Sequence, residues 1–256
     1  MTTVNVPAGS SFTVPSGVTK ISAKVIGPGG GGGGGSYSYC GKGGGAGQVV
    51  EQDITVTPGQ VIPVGGGSGG SGGAAHGGVG EKGDDGAQGT ATTFGGVSAN
   101  SGTPGDGGNN GSTLTSPGAG KTNGTPYGAG GLGGDSTVNG IATDGSNGSN
   151  GGVVITYVIL TPTITADVTA GPAPLDVSFT GGVAGGSATA YDWNFGDGTA
   201  HADTQNTTHQ YTIVGQKTVT FTVTGTYGSW STTATVTVYW QPSAHVFVIS
   251  SEQWRR

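Results

Sequence analysis

The stretch Val25-Ile26-Gly27-Pro28-Gly29-Gly30-Gly31-Gly32-Gly33-Gly34-Gly35-Ser36 decides how the first part of this chain is read. The glycines from Gly29 to Gly35 have no side chain to bury and lose the most backbone freedom on ordering, so they disfavour a helix or an ordinary strand. The run opens a larger block. Gly27 to Gly152 holds 47 of the 59 glycines, the other 12 lying at positions 9, 17 and from 171 onward. Collagen is one way to use a third of glycine, but the continuous run, the sparse proline and the lack of a persistent Gly-X-Y phase argue against it. A flexible Gly/Ser linker is another, but one this long rarely sits between β segments that look like the opening and closing of one domain. The third is a bundle of polyproline II helices. Each has three residues per turn and no internal hydrogen bonds, so its backbone groups must bond to neighbours or to water. Neighbours come that close only where Cβ is missing, at a cost of about 0.5–1 kcal/mol per glycine relative to alanine. The bundle is the expectation.

Working outward, the flanks read as β. Phe12, Val14 and then Val18 to Ile26 suggest a short strand pair about Pro15-Ser16-Gly17. Val49 to Val56 alternates and is closed by Pro58-Gly59, Val61 to Val64 follows, and Val153 to Leu160 closes the region. No window sustains helical spacing of apolar residues. After Thr161, runs at Leu175–Phe179, Tyr191–Phe195, Lys217–Val223 and Thr232–Trp240 recur at the spacing of a β-sandwich. Alternation puts Tyr191, Trp193 and Phe195 on one face and Asp192 and Asn194 on the other, with a turn at Gly196-Asp197-Gly198. The expected class is therefore all-β, with a glycine-rich domain of short strands and polyproline II helices at 1–160, a sandwich at 161–240 and a tail at 241–256.

Composition narrows the function. Charged residues are 9% and the net charge is −6, with Arg255-Arg256 the one basic cluster. Phosphate backbones need clustered Lys and Arg, so nucleic acid is not an expected partner, and an acidic, weakly charged chain suits anionic membranes poorly. Met1 to Pro15 has neither a basic n-region nor an apolar h-region, so no secretory signal is read there. The run Val153–Leu160 is too short to span a bilayer, and no membrane insertion is expected. Cys40 is the one cysteine, which rules out an internal disulfide and reads as a small neutral loop side chain.

Two resemblances follow from these residues. Phe12-Thr13-Val14-Pro15-Ser16-Gly17-Val18 and Val25-Ile26-Gly27-Pro28-Gly29-Gly30 resemble the start of glycine-rich domains of phage tail and fibre adhesins. Gly45-Ala46-Gly47-Gln48-Val49-Val50, Val56-Thr57-Pro58-Gly59-Gln60, Ala91-Thr92-Thr93-Phe94-Gly95-Gly96 and Gly151-Gly152-Val153-Val154-Ile155-Thr156-Tyr157 fit the same pattern. The likeness implies polyproline II bundles whose loops recognise host surface molecules. Ala173-Pro174-Leu175-Asp176-Val177-Ser178-Phe179, Tyr191-Asp192-Trp193-Asn194-Phe195-Gly196-Asp197-Gly198-Thr199, His209-Gln210-Tyr211 and Gly215 resemble a PKD domain over roughly 163–240. That likeness implies an immunoglobulin-like seven-strand sandwich without an active site, used as a spacer or a contact unit.

Motifs for chemistry are weak. Gly128-Ala129-Gly130-Gly131-Leu132-Gly133 fits GxGxxG by chance in a glycine-dense block, with no strand before it or helix after it. Gly120-Lys121-Thr122 has Thr115 where a P-loop needs its first glycine. Glu81 with Asp84-Asp85 is read as a solvated loop rather than a calcium site. His201 is paired with Asp203 in a surface loop, and His209 belongs to the PKD pattern. No catalytic, metal or cofactor residue is assigned, and a non-enzymatic role is expected. What remains is recognition: in the glycine block the bulky residues Tyr37, Tyr39, Lys42, His76, Lys121 and Tyr127 are rare, grouped and flanked by polar segments, which suits loops that touch a host glycan or protein. The expectation is a virion surface protein, extracellular after lysis, whose partners are that host molecule and other virion structural proteins; self-association into a homo-oligomer is left open. A capsid or tail decoration or head-fibre structural protein and a secreted bacterial surface or matrix protein are the competing readings.

Overall fold

A computed structural model of the protein describes residues 1–108, 118–136 and 141–241; the expected interacting tail, with Val246, Val248 and Trp254, lies outside the described residues. Among the described residues there is no α-helix, and so none long and apolar enough to cross a membrane. Met1–Ile159 with Thr226–Gly228 forms one compact unit, and Leu160–Gly225 with the described residues from Ser229 on forms another.

The first unit is founded on a four-stranded antiparallel sheet. Its strands are β1 (Thr2–Pro7), β3 (Lys20–Ile26), β4 (Val49–Thr55) and β9 (Gly152–Tyr157), in the order β1-β9-β3-β4. Alternation in β3 buries Ile21, Ala23 and Val25 while Lys20 and Lys24 reach Asp53 and Glu51 across the other face at 2.8 and 2.6 Å. Two smaller sheets complete the strands. β2 (Ser11–Thr13) pairs with β5 (Val61–Pro63), and β6 (Gly65–Gly66), β7 (Thr92–Phe94) and β8 (Val97–Ala99) form a meander. β7 and β8 are joined by Gly95-Gly96, whose φ of 55° and 84° give the two left-handed residues that a tight hairpin needs. Phe12, Val14, Ile62, Val64, Phe94, Val153, Ile155 and Tyr157 are buried, and the rings of Phe12 and Tyr157 lie 6.0 Å apart. The strand pair expected about Pro15-Ser16-Gly17 does not form: β2 finds β5 and β3 finds β4 and β9. Three residues of β2 cannot compete with the seven-residue register that β3 shares with β4.

Among the described residues eight glycine segments follow, six of them continuous with a strand, numbered in chain order. β3 runs on into segment I (27–36), and segment II (40–48) leads back into β4. Segment III (67–76) leaves β6, segment IV (82–90) leads to β7, and segment V (100–108) leaves β8. Segment VI (118–123) and segment VII (128–136) are joined by a short turn, and segment VIII (141–151) leads into β9.

Segment I is the axis. Its N–H groups rotate through three partners: Gly27, Gly30 and Gly33 donate to Gln48, Gly45 and Lys42 of segment II; Gly29, Gly32 and Gly35 to Ser149, Ser146 and Thr143 of segment VIII; Gly31 and Gly34 to Ala87 and Asp84 of segment IV. These three neighbours run antiparallel to it. Its carbonyls accept from three parallel neighbours with the same step: Gly70, Gly73 and His76 of segment III, Gly102, Gly105 and Gly108 of segment V, and Gly131 and Gly134 of segment VII. The six neighbours also bond to one another and close a ring, II to V to IV to III to VIII to VII and back to II, as in Gly45 N–H to Thr103 O at 2.7 Å and Ser149 N–H to Ala129 O at 2.7 Å. Segment VI lies outside the ring against II and VII, through Gly118 to Gly41 and Gly130 to Lys121.

This arrangement explains the run of seven glycines. A strand with neighbours on every side has no direction left for a side chain. A Cβ on Gly31 would lie 1.8 Å from Ser71 O, one on Gly32 1.8 Å from Leu132 O, and one on Gly33 2.1 Å from Asp106 O. A peripheral segment faces the axis with one residue in three, and glycine recurs at that step: Gly41, Gly44 and Gly47; Gly83, Gly86 and Gly89; Gly102, Gly105 and Gly108; Gly145, Gly148 and Gly151. Off that step glycine stands where another neighbour presses in, as at Gly43 and Gly107, whose Cβ would lie 2.2 Å from Ala119 O and 1.8 Å from Gly83 O. The Gly-X-Y phase is thus kept for about three turns within a segment and reset at each connection, which is why no phase persists along the sequence. Pro28 fits for a related reason. In the register of Gly31 and Gly34 it would face Thr90 O, and that carbonyl instead accepts from Gly67 N–H at 3.1 Å. On the outside, where no further segment lies, side chains act as acceptors. Asp144, Asn147 and Asn150, three residues apart, accept from the N–H groups of Ala75, Gly72 and Gly69 at 2.7, 2.8 and 3.0 Å.

The second unit is a seven-strand sandwich. One sheet holds β10 (Thr161–Ala166), β12 (Leu175–Ala184) and β14 (Asn206–Tyr211); the other holds β11 (Ala170–Pro172), β16 (Gly228–Tyr239), β15 (Gly215–Gly225) and β13 (Ala190–Asn194), in that order. Val177 and Phe179 from one sheet meet Trp193, Val219, Phe221, Val223, Val236 and Val238 from the other, all buried. Trp193 stacks on Phe221 with ring centroids 4.2 Å apart, and its Nε1–H donates to Thr204 O at 2.9 Å, so the largest core side chain buries no unpaired polar atom. Tyr211 donates its hydroxyl to Phe195 O at 3.2 Å. Gly196 and Gly198, at φ 73° and 80°, carry the turn that sets Asp197 beside His209. Burial alone would raise the Asp197 carboxyl, but hydrogen bonds from Thr199 Oγ1 and N–H and from His209 Nε2, the last at 2.7 Å, hold it at about 2. His201 does not pair with Asp203; its Nδ1 lies 2.9 Å from Asp192 Oδ1, which faces it from β13.

Three outcomes are expected. Gly31→Ala should lower the denaturant midpoint of the first unit by the equivalent of about 3 kcal/mol or abolish its folding, because no single side-chain movement can clear a carbonyl on the ring. Ser149→Ala, whose side chain points out of the ring, should shift stability by less than about 0.5 kcal/mol. Asp197, depressed from 3.8 to about 2, contributes stability that is present above its unfolded pKa and lost as pH falls through its folded one. Acid titration of the second unit, followed by near-ultraviolet circular dichroism, should show a loss of about 2 kcal/mol between pH 4 and pH 2 that Asp197→Asn removes.

Candidate functional site

Outbound segments I and III run side by side and end level with each other, Ser36 bridging to His76 in parallel register. Each then turns sharply. Ser36 N–H donates to Tyr39 O at 2.8 Å and Tyr39 N–H returns to Ser36 O at 3.4 Å, so 36–39 is a closed turn with Tyr37 and Ser38 at its crest. After His76 the chain passes Gly77-Gly78-Val79-Gly80, and Glu81 closes the loop: its N–H donates to Gly78 O and its Oε2 accepts Gly78 N–H, both at 3.2 Å. Gly80, at φ 84°, supplies the left-handed residue this closure requires. Between the two turns lies a cleft of about 180 Å³ lined by Ser36, Tyr37, Ser38, Tyr39, Val79, Gly80 and Glu81. Val79 is 85% exposed and Tyr37 38%, so apolar surface stands at the crest of both turns.

The surroundings fix these turns and set their charge. His76 Nε2 lies 3.1 Å from Asp84 Oδ1 and its Nδ1 4.0 Å from Glu81 Oε2. Cys40, read from sequence as a loop residue, is fully buried behind Tyr39, with Sγ 3.5 Å from Asp135 Oδ1 and 3.3 Å from Ser136 Oγ. Asp85 accepts from Lys82 Nζ at 2.6 Å and from Gly107 N–H at 2.8 Å, and these bonds, the lysine's first, hold its carboxyl below the usual range. Glu81 and Asp84 thus flank His76 on its two ring nitrogens while Asp85 is drawn to Lys82 and Gly107, and among the described residues no group of three or more side chains that could hold a metal ion is found.

The six residues singled out from sequence fall in four places. Tyr37, Tyr39 and His76 lie at the tip. Lys42 is two residues past Cys40, its Nζ 2.6 Å from Asp106 Oδ2, whose hydrogen bond and charge raise the ammonium pKa above its ordinary value. Lys121 is exposed on segment VI, away from the tip. Tyr127 is at the sheet end, its half-buried ring lying flat against Gly152, where a Cβ would come within 2.8 Å of ring carbons. The sequence reading left out Ser36, Ser38 and Val79 from the cleft and weighed Glu81 only as a calcium ligand. A lone valine between Gly77-Gly78 and Gly80 was the available signal, since an isolated bulky residue in a glycine turn has nowhere to be buried.

A second cleft, of about 260 Å³, lies on the outer face of the main sheet among Ser22, Lys24, Glu51, Val154 and Thr156. The Lys24–Glu51 ion pair spans it, so its two charged groups are already matched to each other.

Compared with known proteins, residues 160–239 match the PKD domain family, the span of the sandwich. Among curated proteins nothing matches the chain.

Proposed function

We propose that the glycine segments are polyproline II helices and that they hold the tip of a bacteriophage virion surface protein, of the tail-fibre or tip-adhesin type, against the host cell. The reading is of a binding protein without catalysis. The observation that carries it is the pairing of a backbone-bonded glycine axis with exposed aromatic and apolar side chains at its far end. The three-residue step of donors and acceptors along segment I supports the helix assignment, since polyproline II repeats every three residues and leaves its backbone groups pointing outward in three directions. Tyr37 and Val79, exposed, and Tyr39, half-buried beside them, support the contact role, because apolar residues on pinned turns lose little entropy when a partner covers them. A sandwich of the PKD type suits a spacer on the same particle. Copies carried together on a virion convert weak single contacts into firm attachment.

The test combines location and adsorption. Immunogold labelling of phage particles with antibody to the full chain should mark the tail. Fluorescent beads carrying the full chain should adsorb to some bacterial strains and not others, and Tyr37→Ser with Tyr39→Ser should reduce that adsorption at least tenfold. Label spread over the capsid, or double-variant beads that adsorb as the wild type does, would contradict the reading.

A further inference from the structure

We propose that the cleft between turns 36–39 and 77–81 is a carbohydrate site that takes one uncharged pyranose residue, a hexose or N-acetylhexosamine, at the exposed end of a surface glycan. The inference rests on the contact role assigned to this tip and goes on to name its ligand chemistry and the residue that sets its selectivity.

Size comes first. At about 180 Å³ the cleft is smaller than the roughly 300–1,000 Å³ of sites that bury a drug-sized ligand, which leaves room for a single ring. The two turns are also too small for a protein partner, which needs about 800 Å² on each side of a stable interface. A one-residue glycan end needs only such a concavity.

The lining matches the two sides of a sugar. A pyranose has a face of C–H groups and a rim of hydroxyls. Tyr37, Tyr39 and Val79 offer apolar surface for the first, and the tyrosine rings carry a polar tip as well. Ser38 and Glu81 offer a donor and acceptors for the second, while Ser36, buried with its hydroxyl donating to Tyr39 O at 3.4 Å, forms the floor. The turns are closed by their own hydrogen bonds, Ser36 to Tyr39 and Gly78 to Glu81, so little ordering is left for the ligand to impose.

Charge then selects among sugars. Glu81 is the one ionisable carboxylate in the lining, and Asp84 stands behind it across His76. The nearby lysines are already held, Lys42 by Asp106 and Lys82 by Asp85, both at 2.6 Å. The histidine and acidic groups facing Glu81 are thus His76 and, beyond it, Asp84, and among the described residues no lysine or arginine lines the cleft. A uronic or sialic acid would bring its carboxylate against Glu81 without a cation to receive it, and like charges at such range repel.

The test is a panel of immobilised glycans ending in neutral hexoses, N-acetylhexosamines, hexosamines, uronic acids or sialic acids, probed with the full chain displayed on beads. Binding to at least one neutral or N-acetylated terminus is expected, with the acidic termini at background. Tyr37→Ser and Tyr39→Ser should each reduce binding at least tenfold while leaving the thermal transition of the first unit in place. Glu81→Gln should raise binding to acidic termini at least fivefold relative to neutral ones. Background binding to every terminus, a wild-type preference for acidic sugars, or tyrosine variants that fold and bind normally would overturn the proposal. Adsorption to cells that survives periodate treatment but is lost after protease would point to a protein ligand and overturn it too, while leaving the adhesin reading intact. Sugar binding by a chain absent from virions would do the reverse.

Discussion

The first unit depends on one constraint: a backbone with neighbours on all sides must give every N–H and C=O to those neighbours and keep no side chain in the way. From Gly29 to Gly35 each N–H donates to one of three antiparallel segments and each C=O accepts from one of three parallel ones. A buried peptide group left unpaired costs about 1–3 kcal/mol, so the ring must be complete to be stable. It can be complete only if the axis is glycine throughout. The entropic cost of that glycine, about 0.5–1 kcal/mol per residue, is offset by two backbone hydrogen bonds per residue, each worth about 0.5–1.5 kcal/mol.

The strands set this ring in register. Segments I, II, III, IV, V and VIII each begin or end in a strand whose pairing is fixed, so the step of three in the glycine block inherits its phase from the sheet. The consequence reaches the far end. Segments I and III finish level with each other, and the turns beyond them are closed by short local bonds rather than by a core. Val79 and Tyr37 can stand exposed there, with Tyr39 half-buried beside them, because the stability of the unit resides in the axis and the sheet, not at the tip. That division of labour is what makes the proposed contact role physically reasonable.

Much of the fold was legible. Alternation over Val18–Ile26, Val49–Val56 and Val153–Leu160 found three strands of the main sheet, and the alternation of Tyr191, Trp193 and Phe195 found a face of the sandwich core, although Tyr191 is only half-buried. β1 was missed because Thr2-Thr3-Val4-Asn5-Val6-Pro7 has only two apolar residues, and β9 supplies the partner that makes it a strand. β10 and β14 were missed for the same reason: Thr161–Ala166 and Asn206–Tyr211 are mostly small or polar. The pairing of β2 was misjudged because proximity in sequence favours a hairpin, whereas Val61–Pro63 offers it a register that the chain reaches only after segments I and II. The repeat Asp144-Gly145-Ser146-Asn147-Gly148-Ser149-Asn150-Gly151 carried the lattice in plain view: the Asx side chain caps segment III, the glycine faces the axis, and the serine carbonyl accepts from it.

The candidate site was legible only in part. Rarity of bulky residues picked out Tyr37, Tyr39 and His76, which the fold brings to one end. It also picked out Tyr127, which the fold uses to cover Gly152, because a count of side chains along a sequence does not say which end of a segment they occupy.

Amide hydrogen exchange across Gly29–Gly35 tests the central claim most directly. If the axis is bonded on all sides, these amides exchange together and slowly, on the timescale of unfolding of the whole unit. If they exchange at the rate of a free peptide while the flanking strands β3 and β4 stay protected, the closed ring does not exist in solution and the account fails.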